Sequence, residues 1–281
     1  YAAVKSAFEI YPRFVENSRA QKRLEEWENA SAPSTALPTR MEIEWRGVSF
    51  SYDKPVLKNV TARMDLTQNH IIRGENGAGK STLIKLLLGM ETPQSGEISV
   101  LGSATGQLDK TLFPSEIFYL PQKAPVFDLT VGQMLSAVIE TESGFDGCAA
   151  GSATPDGSEY LDANIRASAG VAPANVPARE HTFAQHLSQL GEDFNEFREK
   201  PLAEMSEGQR KKFYLALAFS GDAKLLILDE PTNHLDDARR KTLAEWITQR
   251  GRGVVVISHD SVLEAVDAVC WKLQNGGLAY V

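Results

Sequence analysis

The chain has 281 residues, of which 42% are hydrophobic, and it carries a formal net charge of −8. This length allows a sizeable buried core in one large domain or two small ones, and the acidic balance argues against general electrostatic binding to nucleic acid, so no direct nucleic-acid partner is expected. The two cysteines, Cys148 and Cys270, lie far apart and give no indication of a disulfide framework or a zinc site. The longest apolar runs, at 225–228 and 254–257, are too short to cross a membrane and have the length of buried strands.

The first 40 residues differ in composition from the rest of the chain. Apolar residues between positions 4 and 28 recur mostly at helical spacing among mixed charges, which predicts an amphipathic helix bent at Pro12. The stretch ASAPSTALPT, at 30–39, has the composition of a linker. We therefore expect residues 1–40 to form a helix and linker ahead of a main domain at 41–281.

The pattern within the main domain changes along the chain. MEIEWRGVSFSY and PVLKNVTARMDL alternate apolar and polar residues, which predicts a β-rich beginning. Residues 143–180 are rich in Ala, Gly, Ser and Pro, which is typical of an irregular insertion. After it we expect helices at 181–198, after Ser206 and near 237–250, with strands at 225–228 and 253–257. This alternation predicts a parallel α/β sheet.

The stretch GENGAGKST, from Gly74 to Thr82, joins the apolar segment HIIRG to the helical pattern STLIKLLLG. It fits GxxxxGK[ST], the Walker A pattern, in which backbone N–H groups converge on phosphate oxygens, the lysine reaches the β and γ phosphates and the hydroxyl binds Mg²⁺. Lys80 and Ser81 occupy the last two positions. The following helix directs its positive end at the same anion. The stretch therefore predicts a P-loop that binds a nucleoside triphosphate.

Two acids follow the apolar strand in LLILDE. P-loop enzymes use one carboxylate near Mg²⁺ and another near the attacking water, so Asp229 is the predicted metal residue and Glu230 the predicted base. His259 ends the next strand pattern, GVVVISHD. Because the carboxyl ends of parallel strands share one edge of the sheet, we expect His259 beside the phosphate loop, in contact with the γ-phosphate.

These motifs occur in the order found in the ATP-binding cassette (ABC) ATPases, which residues 41–281 resemble. The matching elements are Tyr52, GENGAGKS, Gln122 in YLPQK, MSEGQ at 205–209, LLILDEP, NHLD at 233–236 and His259. The resemblance implies an α/β fold of the P-loop NTPase class, with a RecA-like parallel sheet core, an antiparallel β subdomain and a helical subdomain that carries the signature MSEGQ. It also implies an ATP hydrolase with ATP and Mg²⁺ as its cofactors.

The resemblance implies a role for each matching residue. The ring of Tyr52 stacks on adenine, Gln122 offers a neutral oxygen to Mg²⁺, and the signature loop caps the γ-phosphate of ATP held by an opposite subunit. The implied nucleotide-binding residues are Tyr52, Gly74, Glu75, Asn76, Gly77, Ala78, Gly79, Lys80, Ser81, Thr82, Gln122, Ser206, Gly208, Gln209 and Asp236. The implied metal-binding residues are Ser81, Gln122 and Asp229, and the implied catalytic residues are Glu230 and His259.

The signature also implies a partner, a second ABC cassette in a homodimer or a heterodimer. If each signature loop serves the ATP of the other subunit, two cassettes must close head to tail around two ATP molecules, and a monomer is nearly inactive. The chain departs from the usual LSGGQ at Met205 and Glu207. Ser206, Gly208 and Gln209 remain, so we expect a working site.

Three classes of ABC protein are alternatives for the full protein to which this cassette belongs. Residues 1–40 resemble the segment between the last transmembrane helix of an exporter and its cassette, which implies a transmembrane domain in the same chain before Tyr1 and a location at the cytoplasmic face of the cell membrane. DEPTNHLD and SHDSVLEAVD resemble soluble translation-factor (ABC-F) proteins that act on the ribosome. The separate ATPase subunit of an importer has a similar EPTNHLD pattern. The exporter is the leading hypothesis.

Overall fold

The computed structural model describes residues 41–105, 116–142 and 176–281. These residues fall into two compact units. The sheet unit comprises 41–105, 116–124 and 223–281, and the helical unit comprises 125–142 and 176–222. The expected helix and linker at 1–40, and residues 143–175 of the expected insertion, lie outside the described residues.

The sheet unit contains two β-sheets. Numbered in chain order, its strands are β1 (Glu42–Ser51), β2 (Pro55–Asp65), β3 (His70–Arg73), β4 (Ser95–Val100), β5 (Ser103–Ala104), β6 (Ile117–Leu120), β7 (Leu225–Asp229), β8 (Val254–Ile257), β9 (Val269–Gln274) and β10 (Gly277–Tyr280). Its helices, numbered over the whole chain, are α1 (Lys80–Leu87) and α6 (Asp237–Arg250), with a 3-10 turn at Ser261–Ala265.

The smaller sheet is antiparallel, with the strand order β2-β1-β4-β5. Along β1 the side chains of Ile43 and Trp45 are buried while Arg46 is exposed, which is the alternation expected of a sheet with one face on the core. Ile43 lies opposite Met64 of β2 and Val100 of β4. The β-rich beginning predicted from the alternating pattern is confirmed.

The larger sheet has the order β10-β9-β3-β8-β7-β6. Its strands β9, β3, β8, β7 and β6 run parallel, and β10 pairs with β9 in the antiparallel direction. All side chains of β7 and β8 are buried, as in parallel strands covered on both faces. Ile257 of β8 lies opposite both Ile72 of β3 and Asp229 of β7. The carboxyl ends of these three strands are therefore level at one edge of the sheet.

One hydrophobic core joins both sheets of this unit. It includes Trp45 of the antiparallel sheet, Leu83 and Leu86 of α1, and Ile257 and Trp271 of the parallel sheet. Because its leucines are buried in this core, α1 is held in place. The loop immediately before α1 therefore ends at a fixed position.

The helical unit contains α2 (Val131–Glu142), α3 (Val176–Gln189), α4 (Phe194–Phe197), a 3-10 turn at Leu202–Glu204, and α5 (Glu207–Ser220). An aromatic cluster holds three of these helices: the ring centroid of Phe183 is 5.3 Å from that of Phe194 and 5.6 Å from that of Phe213. Edge-to-face contacts of this kind stabilise a core beyond simple burial. Within the described residues, no helix has the length and apolar character needed to cross a bilayer.

The predicted single helix at 181–198 is wrong in its bounds. Helix α3 begins earlier, at Val176, and ends at Gln189. The chain then turns at Gly191, whose φ is +80°, and the carboxylate of Asp193 accepts a hydrogen bond from the Asn195 N–H to begin α4. Buried Phe183, Leu187, Leu190, Phe194 and Phe197 continue a helical spacing across this break, so the apolar pattern alone resembled one helix.

Candidate functional site

The phosphate loop lies between the end of β3 and the start of α1, in the sheet unit. Gly77 and Gly79 adopt positive φ values of +81° and +100°, a region that side chains rarely occupy. Gly79 is the N-cap of α1, and a Cβ at that position would lie 2.7 Å from Cγ1 of Val56. The loop therefore depends on glycine both for its backbone conformation and for the space beside β2.

Lys80 is the first residue of α1 and folds back over the loop. Its Nζ donates to the carbonyl oxygens of Gly74 at 2.6 Å and Glu75 at 3.2 Å. The Ala78 N–H donates to the Glu75 carbonyl at 3.1 Å and closes the turn. A fixed cation and the N-terminal end of a helix thus meet in one loop, which is the arrangement that binds phosphate groups.

Three further predicted residues follow neighbouring strands at the same sheet edge. Glu230 comes directly after β7, His259 comes two residues after β8, and Gln122 comes two residues after β6. Since β3, β8, β7 and β6 are consecutive in the sheet, these positions and the phosphate loop share one edge. The predicted placement of His259 at the same edge as the phosphate loop and Glu230 is confirmed by this topology, and Gln122 lies at that edge as well.

The carboxylate of Glu230 is buried and accepts hydrogen bonds on both oxygens. His259 Nδ1 lies 2.9 Å from Oε1, and Ser258 Oγ lies 3.2 Å from Oε2. The imidazole of His259 is 68% exposed, whereas the Glu230 side chain is only 8% exposed. A carboxylate has about four acceptor positions, so two donors leave it able to accept a proton from water. No motif in the sequence singles out Ser258, which a contact between two strand ends brings to Glu230.

Asp229, the predicted metal residue, is the buried last residue of β7. Burial of the Tyr119 phenol, together with the negative charge of Asp229, raises the pKa of that phenol well above its ordinary value. Among the residues that the structure describes, no group of three or more His, Cys, Asp or Glu side chains could hold a metal ion by itself. The Ser81 hydroxyl, the Gln122 amide oxygen and the Asp229 carboxylate are oxygen ligands of the kind that Mg²⁺ accepts, and this ion usually completes its coordination with substrate phosphates and water, so the chemistry of these residues fits Mg²⁺.

Tyr52, the predicted adenine-stacking residue, follows β1 and is half exposed. Its ring packs edge-to-face on Phe50 with the centroids 4.9 Å apart. Partial burial, together with the negative charge of Glu91, raises the pKa of its phenol.

The signature residues lie in the helical unit, at the start of α5. Ser206 is the N-cap: the Gln209 N–H donates to Ser206 Oγ at 3.1 Å, and the Ser206 N–H donates to Gln209 Oε1 at 3.1 Å. This reciprocal pair is a capping box. Gly208 lies in the first turn, and the guanidinium of Arg210 donates to the carbonyl of Met205. The signature motif predicts nucleotide binding for Ser206 and Gln209, and their spacing, S-x-x-Q, is also the pattern of a capping box.

Asp236, another predicted nucleotide-binding residue, caps α6. Its Oδ1 accepts from the Arg239 N–H at 3.0 Å, and its Oδ2 accepts from the Arg239 guanidinium at 2.9 Å. An aspartate at a helix N-cap satisfies a backbone donor and interacts favourably with the helix dipole. Its structural role is therefore clear from the geometry, whereas a contact with nucleotide stays a prediction.

The sequence profile of the ABC transporter family matches residues 57–233, more than half of the chain. This chain belongs to the ABC transporter family. It is 32% identical over 253 residues to the tylosin resistance ATP-binding protein TlrC of Streptomyces fradiae, covering 85% of this chain and 43% of that protein. It is 26% identical to the human antigen peptide transporter 2, with 82% and 31% covered, and 26% identical to the ATP-dependent lipid A-core flippase of Saccharophagus degradans, with 98% and 41% covered. The chain thus spans less than half the length of these relatives.

Solved structures confirm the predicted ABC cassette fold. The ATP-binding subunit of an ABC transporter superposes with a TM-score of 0.66 at 23% identity, covering 85% of this chain and 89% of that one. A bacterial Atm1-family ABC exporter with ATP bound gives 0.62 at 21% identity, covering 89% and 40%.

Proposed function

We propose that the sheet unit binds ATP with Mg²⁺ at the phosphate loop and that Glu230 is the base for hydrolysis. The observation that carries the proposal is the buried carboxylate of Glu230, held by His259 and Ser258 at the sheet edge that also carries Lys80. Ser81, Gln122 and Asp229 are the residues that would hold Mg²⁺, which neutralises phosphate charge when bound. Lys80 contacts the β and γ phosphates, Glu230 takes the proton of the attacking water, and His259 turns its exposed ring to the γ-phosphate.

We further propose that hydrolysis requires a second cassette. Support comes from the signature residues, because Ser206 is exposed and caps the first turn of α5, whose positive dipole end is suited to binding an anion. A dimeric ATP-binding cassette in a post-hydrolysis state, bound to ADP and Pi, has the same fold at a TM-score of 0.62 and 20% identity. In our proposal two chains, identical or different, enclose two ATP molecules head to tail.

The machine that the cassette drives is proposed to be an exporter with a transmembrane domain, working at the cytoplasmic face of the membrane. The match to the lipid A-core flippase covers 98% of this chain, so it extends through most of residues 1–40, the segment that resembles an exporter linker. The names of the relatives span peptide transport, lipid A-core flipping and arabinose import. In this proposal the transmembrane domain, and not the cassette, determines which substrate is transported.

The hydrolysis proposal is tested with Glu230→Gln. We expect this variant to bind MgATP, to lose turnover and to elute as an ATP-dependent dimer in size-exclusion chromatography, because the amide keeps the shape of the carboxylate but accepts no proton. Glu245→Gln, an exposed change on α6, is the matched control and should behave like the parent. Turnover by Glu230→Gln at the parent rate would remove Glu230 from its proposed role.

The exporter proposal is tested by fractionating the full-length native protein. Membrane association that resists salt and carbonate is the expected result, and it would direct further work to transport assays. Salt-sensitive sedimentation with ribosomes and without membranes would overturn the exporter proposal and favour the translation-factor class instead.

A further inference from the structure

Ser258 is the first residue after β8 and contacts Glu230, but none of the reaction steps described above assigns it a function. Its side chain is buried, with 1% relative exposure, which is unusual for a serine. Its backbone N–H donates to the Ile72 carbonyl of β3 at 3.3 Å. The hydroxyl is thus carried by a strand end that is attached to the strand leading into the phosphate loop.

The direction of the hydrogen bond from Ser258 is set by its two neighbours. The Asp260 N–H donates to Ser258 Oγ at 3.2 Å and occupies a lone pair of the hydroxyl. A hydroxyl has a single hydrogen, and a carboxylate is an acceptor only, so that hydrogen points to Glu230 Oε2 at 3.2 Å. Glu230 therefore accepts a buried hydrogen bond from Ser258.

The two partners of Glu230 differ in their freedom to move. The imidazole that faces Oε1 belongs to His259, which is 68% exposed and is proposed to turn to the γ-phosphate. Ser258 is buried, and its side chain can move only by rotation about χ1. When His259 leaves Oε1, Ser258 is the remaining one of these two contacts.

We propose that Ser258 is a positioning residue that holds the Glu230 carboxylate through Oε2 while His259 engages the phosphate. The inference rests on the proposed role of Glu230 as base. The backbone of Glu230 also fits a fixed side chain, since its φ is +45° and its N–H donates to the Ile257 carbonyl at 2.8 Å. Backbone strain at a reacting residue persists when its surroundings determine its orientation.

The test compares Ser258→Ala and Ser258→Thr with Ser261→Ala, an exposed serine three residues away. We expect Ser258→Ala to lower kcat about 10-fold or more, because the buried oxygen of a charged group loses its donor. KM for MgATP should stay within about twofold, since the phosphate loop is untouched. Ser258→Thr, which keeps the hydroxyl, should restore most of kcat, and Ser261→Ala should equal the parent. A kcat of Ser258→Ala within about twofold of the parent would overturn the proposal.

A second measurement reports on the contact without hydrolysis. In a double-mutant cycle, Ser258→Ala is introduced into the parent and into Glu230→Ala, and the thermal midpoints are compared. We expect a different shift in the two backgrounds, because the hydroxyl has lost its acceptor in Glu230→Ala. Equal shifts would contradict the contact and overturn the proposal. If the parent fails to hydrolyse MgATP even as a dimer, the function proposed above fails, and the cycle still decides whether Ser258 holds Glu230.

Discussion

Replacing Gly79 with alanine tests whether the phosphate loop needs glycine for sterics as well as for backbone freedom. The residue combines a φ of +100° with a space in which a Cβ would lie 2.7 Å from Val56 Cγ1. Positive φ costs a residue with a Cβ about 1–2 kcal/mol, and forcing extra volume into a packed site costs about 1–3 kcal/mol more. We expect Gly79→Ala to lower the free energy of unfolding by about 2–5 kcal/mol.

Gly77 provides the matched control for this change. Its φ is +81°, but a Cβ there would meet no atom within 4 Å. Gly77→Ala should therefore carry the conformational cost alone, about 1–2 kcal/mol. The difference between the two variants isolates the clash with Val56.

The clash can be removed from the other side. Val56→Ala deletes Cγ1, so in that background Gly79→Ala should become about 1–3 kcal/mol less costly while Gly77→Ala is unchanged. Urea unfolding of the four variants and the two parents measures each term. If Gly79→Ala costs no more than Gly77→Ala, or if Val56→Ala leaves the difference intact, the steric reasoning is refuted.

Three further outcomes follow from single contacts. Lys80→Ala should abolish MgATP binding or hydrolysis, and unchanged affinity by calorimetry together with unchanged turnover would contradict the phosphate-loop assignment. His70 accepts from Trp271 Nε1 at 3.0 Å, and burial lowers its pKa below 6.5. As the pH falls, His70 is therefore protonated more readily in the unfolded chain than in the folded one, and the free energy of unfolding should decrease below pH 6.5. In His70→Gln this decrease should be smaller. Equal shifts of the thermal midpoint in both proteins would argue against this. Ser206→Ala should cost α5 about 1 kcal/mol in urea unfolding through loss of the cap, whereas Ser206→Asp should not.

The sequence predicted the sheet edge better than it predicted the contacts made there. The apolar runs at 225–228 and 253–257 predict strands β7 and β8, and a parallel sheet brings the ends of these strands together without further information. The contact between Ser258 and Glu230 joins positions 28 residues apart. The spacing of apolar residues along the chain does not predict a contact at that separation. The break at Gly191 was missed for the opposite reason, because apolar residues keep their helical spacing on both sides of it.

Several residues of the motifs serve the fold and the proposed chemistry with the same atoms. Ser206 caps α5 through Oγ, and the same residue is proposed to meet the phosphate of a second cassette. Loss of activity in an alanine variant would therefore not separate a melted helix start from a lost phosphate contact. Aspartate separates them, because it caps a helix as well as serine does but adds a negative charge where a phosphate is proposed to bind. A Ser206→Asp chain that unfolds like the parent and yet hydrolyses no ATP would assign the residue to phosphate, whereas parent-like turnover would leave it only the cap.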